Sequence, residues 1–285
     1  MQVSLPVAIL DLSASSVNKL QARPFWMRRK KGSGACRYSA NFTRRRPDGM
    51  ANVCPNGKHQ YHKARTMNFD RIYEYRFRDI DEDKKKITWE EIARFMYEKL
   101  SRPAVILDPA AGKCELINAI ASPERWAVDL NDYFIAKYAA PGVKIVVGDI
   151  FQVSLPENYF DAVFVSNFLE HLHSQEEVAS FLEKMFAAIR PGGKIAVMGP
   201  NFKYAYRTYF DFADHTVILS ELGLAEHLYG AGFELDQVYP RFLPLSFRGG
   251  LPVRRFLVKT YLSWPWAWRF MGKQFLLIGK KPMPA

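Results

Sequence analysis

The chain has 285 residues, 48% of them hydrophobic, and a formal net charge of +11 at pH 7. This is enough for one domain of roughly 200 residues with appendages, and three cysteines exclude a disulfide framework. No apolar run approaches the ~20 residues of a membrane-spanning helix, and Asp11 interrupts the apolar N-terminal stretch, which disfavours a signal peptide. We therefore expect a cytoplasmic protein.

The excess positive charge lies at the N-terminus. Residues 1–66 contain 13 of the 40 Lys and Arg but only two of the 29 Asp and Glu, so residues 67–285 carry 27 of each sign. A polar composition without periodicity predicts that 1–66 is a disordered basic tail. The balanced charge of the main domain, 67–285, gives no reason to expect nucleic acid as its partner.

Other interpretations of the tail stay open. The run Arg44–Arg46 could contact nucleic acid. The biological start could instead be Met50 or Met67, with the upstream part a gene-start artefact. A zinc site is a weaker alternative, because its cysteines form no CxxC pair; its ligands would be Cys36, Cys54, His59 and His62.

The main domain opens with a charged lead-in, residues 70–87, and a first helix. Thr88 and Glu91 have the spacing of a capping box, and Pro103 predicts the end of this helix. Apolar residues recur between them at helical spacing, and these are Trp89, Ile92, Ala93, Met96 and Leu100.

Strands and helices then alternate along the chain. Ser174 with Glu177, and later Ser220, predict two helix starts. The predicted strands are 105–107, 126–128, 144–149, 160–165, 194–198, 233–239 and 274–280. This order predicts an α/β fold with a doubly wound, mainly parallel seven-stranded sheet. Residues 240–273 form an insert that is too rich in Pro and aromatic residues for a simple crossover helix.

Acidic residues follow the first strands of this sheet. Asp108 begins a loop of small residues that ends at Gly112, and Asp129 ends the second strand about 20 residues later. Small residues let a ligand approach the loop backbone, and a carboxylate at that distance can accept hydrogen bonds from a ribose diol. The stretch therefore predicts a nucleotide site.

Several motifs in one order resemble the class I S-adenosylmethionine-dependent methyltransferases, and within them the small-molecule branch that modifies quinones or sugars. The segments are VILDPAAGKCELI, WAVDLN, VVGDIF, FDAVFVSNFLEHL, IRPGGKIAVMGPN and HLYGAGFELDQV. They cover about residues 88–239, together with the final strand. The resemblance implies a Rossmann-like methyltransferase fold with an antiparallel last strand.

The resemblance also implies S-adenosylmethionine as the cofactor. Asp108 to Cys114 would hold its methionine end, Asp129 the ribose hydroxyls and Asp149 the adenine amino group. The expected cofactor-binding residues are Asp108, Ala110, Gly112, Asp129, Leu130, Asp149, Ile150 and Asn167. Ala110 and Cys114 replace glycines that the family usually has.

Two histidines are candidate general bases on the acceptor side. His171 follows the fourth strand and His215 follows the fifth, each with a carboxylate near in sequence. Glu170, His171 and Asp214 could instead hold a divalent metal, but their spacing matches no self-sufficient metal motif, so none is expected. The expected acceptor contacts are Asn201, Tyr204 and Arg207.

The insert combines Arg and Lys with Trp264, Trp266 and Trp268. This mixture suits peripheral membrane contact through residues 251–273. An acceptor lid, a dimer contact and packing across the sheet edge are alternatives.

The predicted function is methyl transfer from S-adenosylmethionine to an oxygen of a small or lipid-linked acceptor, most simply a sugar hydroxyl. Methylation of RNA or protein is an alternative, although Ser166–Leu169 stands where an Asn-Pro-Pro-Tyr-type tetrapeptide would mark a nitrogen acceptor. A cofactor-binding module without acceptor chemistry is another. A nicotinamide dehydrogenase is disfavoured, because no GxGxxG follows the first strand.

Overall fold

The computed structural model describes residues 69–78, 81–245 and 253–284. The chain divides into two units, Met1–Arg65 and Thr66–Ala285, and all described residues belong to the second. The interpretations of the N-terminal tail, including the zinc ligands and the arginine run, lie outside the described residues.

The described part contains nine α-helices and seven strands. The helices are α1 Phe69–Phe77, α2 Glu82–Lys99, α3 Glu115–Ala119, α4 Asp132–Tyr138, α5 Gln175–Ala188, α6 Phe202–Ala205, α7 Glu221–Gly230, α8 Arg255–Ser263 and α9 Pro265–Met271. The strands are β1 Val105–Asp108, β2 Glu124–Asp129, β3 Val143–Val147, β4 Phe160–Ser166, β5 Ile189–Pro200, β6 Glu234–Tyr239 and β7 Gln274–Lys280. None of these helices combines the length and apolarity needed to cross a bilayer.

The strands form one sheet in the order β3-β2-β1-β4-β5-β7-β6. Strands β1 to β5 pair in parallel, and β7 runs antiparallel to both β5 and β6. This confirms the doubly wound sheet and its antiparallel last strand. Because the chain leaves β1 towards β2 on one side and pairs with β4 on the other, the switch point where such sheets bind ligands lies at the carboxyl end of β1.

The core has two layers, one on each face of the sheet. Successive side chains of a strand point to opposite faces, so Phe164 packs in the layer with α2 while its neighbour Val165 packs in the layer with α5. Both faces are covered, which explains the continuous apolar runs of the central strands. Fully burying each such side chain contributes about 1.5–3 kcal/mol.

Helix α2 begins seven residues earlier than the capping-box pattern predicted. Asp81 is its N-cap and accepts a hydrogen bond from the Lys84 amide at 3.2 Å. The Thr88 hydroxyl donates to the Lys84 carbonyl at 2.9 Å, inside the helix. The acidic residues Glu82 and Asp83 favour the earlier start, because carboxylates stabilise the positive end of the helix dipole. The caps predicted at Ser174 and Ser220 are confirmed.

Strand β5 also begins earlier than predicted, because Pro191 to Gly193 form a bulge in the strand. The register with β4 jumps from Phe160 opposite Ile189 to Ala162 opposite Lys194. A Cβ atom at Gly193 would lie 2.8 Å from the Asp161 carbonyl oxygen, so a larger residue would push β4 away.

Candidate cofactor and acceptor site

The loops that follow β1, β2 and β3 are tied together at the carboxyl edge of the sheet. The Ala111 amide donates to the Val128 carbonyl at 3.0 Å, and the Gly148 amide donates to the Asp129 carbonyl at 2.9 Å. These bonds place Asp108, Asp129 and the loop that contains Asp149 along one edge. The structure therefore brings together the three acids that the sequence assigned to the cofactor.

Asp129 joins two of these loops through its side chain. One carboxylate oxygen accepts a hydrogen bond from the Gly112 amide at 2.7 Å, and the other accepts one from the Asn131 amide at 2.8 Å. An ionised carboxylate has about four acceptor sites, so each oxygen can still accept a bond from a ligand hydroxyl. The bonds fix the orientation of the carboxylate as a receptor for a diol.

The loop after β1 uses left-handed backbone at two positions. Gly112 has φ +50° and Cys114 has φ +59°, whereas Ala110 is not among the described residues with positive φ. A side chain in this conformation costs about 1–2 kcal/mol, so Cys114 keeps the turn of the missing glycine at an energetic cost. Its thiol is buried, and burial raises its pKa to about 12. Cys114 therefore fills space as a neutral thiol.

Asp108 is the most perturbed acid at this edge. Its side chain is buried, and burial raises its pKa to about 8, with the carboxylates of Asp129 and Glu115 adding to the effect. The Ala110 amide is a weak partner, 3.4 Å from one carboxylate oxygen. A buried acid with two other acids beside it stabilises a bound cation, such as a sulfonium or an ammonium group.

Replacing Asp108 by asparagine is expected to stabilise the chain without cofactor. The folded-state pKa of Asp108 lies above the unfolded value of 3.8. Its contribution to the free energy of unfolding therefore falls as pH rises from about 4 to 8 and is constant above that. The gain in melting temperature of Asp108→Asn over the parent should therefore be small at pH 5 and grow towards pH 8.5, by about 2–4 °C per kcal/mol. Thermal melts at both pH values check this, and a gain independent of pH would contradict the buried charge.

The remaining predicted cofactor residues are distributed around these acids. One oxygen of Asp149 accepts the Phe151 amide at 2.9 Å, which holds its own loop. The Leu130 side chain is 75% exposed, whereas that of Ile150 is buried. Asn167 is exposed with φ +50°, and its backbone amide donates to the Met198 carbonyl at 2.8 Å. Their contact with a cofactor stays a prediction.

A histidine pair lies beyond the ends of β4 and β5. His171 belongs to the short 3₁₀ turn Leu169–His171, and its ring lies 5.0 Å from that of His215. Nδ1 of His171 lies 3.1 Å from the carbonyl oxygen and 3.3 Å from a carboxylate oxygen of Asp214. The contact with the Asp214 carbonyl orients the His171 ring against the segment that carries His215.

His215 is enclosed by aromatic rings. It stacks on Phe212 at 4.7 Å and meets Tyr209 edge-on at 4.8 Å. Burial lowers the pKa of His215 to about 4, and neighbouring His171 adds to the effect. Its Nδ1 atom is buried and has no hydrogen-bond partner among the described residues. His215 is therefore neutral at pH 7, with one ring nitrogen not engaged by the fold.

Two buried carboxyl groups beside the pair have opposite tendencies. Burial raises the pKa of Glu170. Burial acts in the same direction on Asp214, but the bond from Arg76 and the charge of His171 outweigh it and hold the pKa of Asp214 below its ordinary value. Asp214 is thus the anion of the cluster, and Glu170 favours its neutral form.

Arg76 contributes to the histidine cluster by binding Asp214, and it was not predicted from the sequence. It lies on α1, donates to the Asp214 carboxylate, and places its guanidinium 5.0 Å from the centre of the Phe212 ring. The two charged residues are 138 positions apart. No local pattern could have predicted their contact.

The predicted acceptor contacts have different surroundings. Asn201 is fully buried, and its side-chain amide donates to the Glu221 carboxylate at 2.6 Å and to the Pro240 carbonyl at 2.8 Å. The geometry therefore favours a role for Asn201 in fastening the fold. Tyr204 and Arg207 are exposed and remain available to an acceptor.

Three side chains of the cluster could hold a metal ion. Donor atoms of Glu170, His171 and His215 lie within 4.8 Å of one another. This set contains His215 in place of Asp214, which the sequence offered as a ligand.

Comparisons with known proteins agree with this geometry. Residues 107–197 match the family model described as a methyltransferase domain. A S-adenosylmethionine-dependent methyltransferase from Archaeoglobus fulgidus is 20% identical, with a TM-score of 0.54 over 75% of this chain and 100% of that one. A possible histamine N-methyltransferase from Thermotoga maritima is 14% identical, with a TM-score of 0.52 over 75% and 96% of the two chains. No curated protein matches the sequence.

The fold of this protein is one that known methyltransferases share. The seven-stranded sheet with its antiparallel β7 is the Rossmann-like methyltransferase fold. Residues 107–197, which match the methyltransferase domain, contain all three acids of this edge, and the match supports S-adenosylmethionine as the cofactor. The acid-lined edge fits this cofactor, because it pairs a diol receptor at Asp129 with a cation-stabilising carboxyl at Asp108.

Proposed function

We propose that this chain transfers the methyl group of S-adenosylmethionine to an oxygen of a small or lipid-linked molecule, with a sugar-type hydroxyl as the simplest acceptor. The observation that carries the proposal is the neutral, enclosed His215, whose Nδ1 is not engaged by the fold, at the edge that holds the cofactor acids. A hydroxyl acceptor must lose a proton during methylation, and His215 is placed to receive it.

When bound, S-adenosylmethionine supplies a methyl group on a sulfonium sulfur; an acceptor oxygen attacks the methyl carbon, and the electrons of the broken S–C bond return to sulfur. Asp129 and the loop from Asp108 to Gly112 hold the cofactor so that methyl and acceptor can align. His215 takes the hydroxyl proton as the new O–C bond forms. A base of pKa about 4 suffices, because the oxygen becomes far more acidic as positive charge develops on it.

The acceptor reaches His215 only after a local movement. Its Nδ1 is fully enclosed, and the Arg76–Asp214 ion pair ties α1 to the segment that carries His215. Opening of α1 or of this segment would admit the acceptor, and closure would exclude water from the reacting atoms.

Methylation of a nitrogen is the main alternative, and N-methyltransferases occur among proteins of similar fold. The N-methyltransferase NodS of Bradyrhizobium japonicum, solved in complex with S-adenosyl-L-homocysteine, is 14% identical with a TM-score of 0.50 over 73% of this chain and 91% of that one. A free amine acceptor needs no strong general base in the enzyme. The enclosed histidine pair therefore favours a hydroxyl.

Calorimetry tests the cofactor assignment. Titration of the full chain with S-adenosylmethionine should show saturable binding, whereas NAD should give no heat of binding, because the loop lacks GxGxxG. A metabolite extract incubated with the chain and S-adenosylmethionine should then yield a product heavier by one methyl group, which tandem mass spectrometry places on oxygen. Absence of S-adenosylmethionine binding at millimolar concentration would overturn the proposal, and a methyl group on nitrogen would redirect it.

A further inference from the structure

The last 45 residues have a one-sided charge. Residues 241–285 contain nine Lys and Arg and no Asp or Glu, whereas the first 240 residues contain 31 basic and 29 acidic residues. Among the described residues of this region, Arg254, Lys259 and Arg269 are exposed on or beside α8 and α9. A surface without acids is complementary to an anionic partner.

Helix α9 presents opposite faces to the core and to solvent. Trp268 is buried, donates its indole N–H to the Tyr261 carbonyl at 2.8 Å, and meets Phe242 edge-on at 5.0 Å. Trp266 and Phe270 lie two positions before and after it, on the other side of the helix, and are 62% and 78% exposed. Trp268 therefore anchors α9 and directs two large apolar side chains outward.

Helix α8 directly precedes α9, also carries exposed aromatic side chains, and is fixed to the core. Arg255 pairs with Glu90 and Glu91 of α2, which holds α8 against the domain. Phe256, in the first turn of α8, and Trp264, directly after the helix, are 62% and 58% exposed. The guanidinium of Arg269 lies 5.4 Å from the centre of the Trp266 ring, so cation and indole share one surface.

We propose that the exposed face of α8 and α9 docks on an anionic lipid bilayer. The surface consists of Phe256, Lys259, Trp264, Trp266, Arg269 and Phe270. Indole and phenyl rings favour the headgroup region, and Lys and Arg side chains are attracted to an anionic leaflet.

The insert that carries the docking face borders the predicted acceptor contacts. The backbone amide of Asn201 donates to the carbonyl of Lys273, the last residue of the insert, at 2.9 Å. The guanidinium of Arg241, at the start of the insert, lies 4.8 Å from the centre of the Tyr204 ring. A bilayer at α8 and α9 would therefore present a lipid-linked acceptor at this edge, a consequence that rests on the proposed function. Docking itself does not depend on it.

Vesicle flotation with the full chain tests the docking face. The parent should float with vesicles of phosphatidylcholine and phosphatidylglycerol at low salt, bind at least tenfold more weakly to pure phosphatidylcholine, and be released by high salt. The double variant Trp266→Ala/Phe270→Ala should bind the anionic vesicles at least tenfold more weakly than the parent. The matched control Leu222→Ala/Tyr229→Ala, which removes two exposed side chains of α7, should bind like the parent.

Each other outcome overturns the proposal. Failure of the parent to float excludes docking. If the Trp266→Ala/Phe270→Ala variant binds as well as the parent, vesicle binding is caused by other basic residues, such as those of 1–66. If the α7 control loses as much vesicle binding as the Trp266→Ala/Phe270→Ala variant, the effect is not specific to the face. If the parent dimerises through this face without binding vesicles, the partner of the face is a second copy of the chain. Circular dichroism and melting temperature show whether each variant is folded, and calorimetry with S-adenosylmethionine reports the cofactor site separately.

Discussion

Replacing Asp129 by alanine is expected to weaken S-adenosylmethionine binding at least 100-fold. The carboxylate is fixed by the amides of Gly112 and Asn131, at 2.7 Å and 2.8 Å, with acceptor sites still available on both oxygens. Two hydrogen bonds from ribose hydroxyls to a charged acceptor contribute about 1.5–3 kcal/mol each, and a factor of ten corresponds to about 1.4 kcal/mol. Titration calorimetry with S-adenosylmethionine measures the change directly.

The matched control for this substitution is Asp132→Ala. Asp132 is an exposed acid three residues later, in the first turn of α4, and its side chain accepts only from the neighbouring Tyr133 amide among the hydrogen bonds found here. Its loss should leave affinity within about twofold of the parent. Asp129→Asn separates the two duties of Asp129: an asparagine can keep only one of the two backbone bonds through its oxygen, so affinity should lie between parent and alanine variant. Equal affinity of Asp129→Ala and parent would remove Asp129 from the cofactor site.

The sheet could be predicted from sequence because its signals are local. Strands such as β4 are continuous apolar runs bounded by turn residues, and a run buried on both faces implies helices on both sides. Helices α5 and α7 likewise carry their start signals in the sequence, at Ser174 and Ser220. Asp129 could be proposed as the ribose contact because a ribose-binding acid typically lies about 20 residues along the chain from the first loop.

Features that depend on distant contacts could not be predicted. The early start of α2 is an exception, because its signal is local: the acids that follow Asp81 stabilise a start there and override the capping-box pattern at Thr88. The bulge that contains Gly193 is set by its distance from β4. Arg76 meets Asp214 across 138 positions, so only the folded chain shows that the histidine pair lies between an ion pair and a buried glutamic acid.

Replacing His215 by alanine is expected to lower turnover by about 10²–10⁴-fold, the range for loss of a general base, while S-adenosylmethionine affinity stays within about twofold. The acceptor is the one identified by its methyl-group mass shift. His173→Ala is the matched control, because His173 has an 85% exposed side chain and should turn over like the parent. Calorimetry on each variant separates a lost base from a lost cofactor site.

The pH profile and a chelator distinguish a base from a structural or metal-binding histidine. His215 must be neutral to accept a proton, and its pKa is about 4. The parent rate should therefore be level from pH 8 to about 5.5 and fall only as pH approaches 4, without an inflection at the ordinary histidine value of 6.5. In His215→Ala this acid limb should disappear, provided circular dichroism shows both proteins folded over the range. A chelator that abolishes parent activity would make His215 a metal ligand together with Glu170 and His171, and full turnover of His215→Ala would leave methyl transfer without a histidine base.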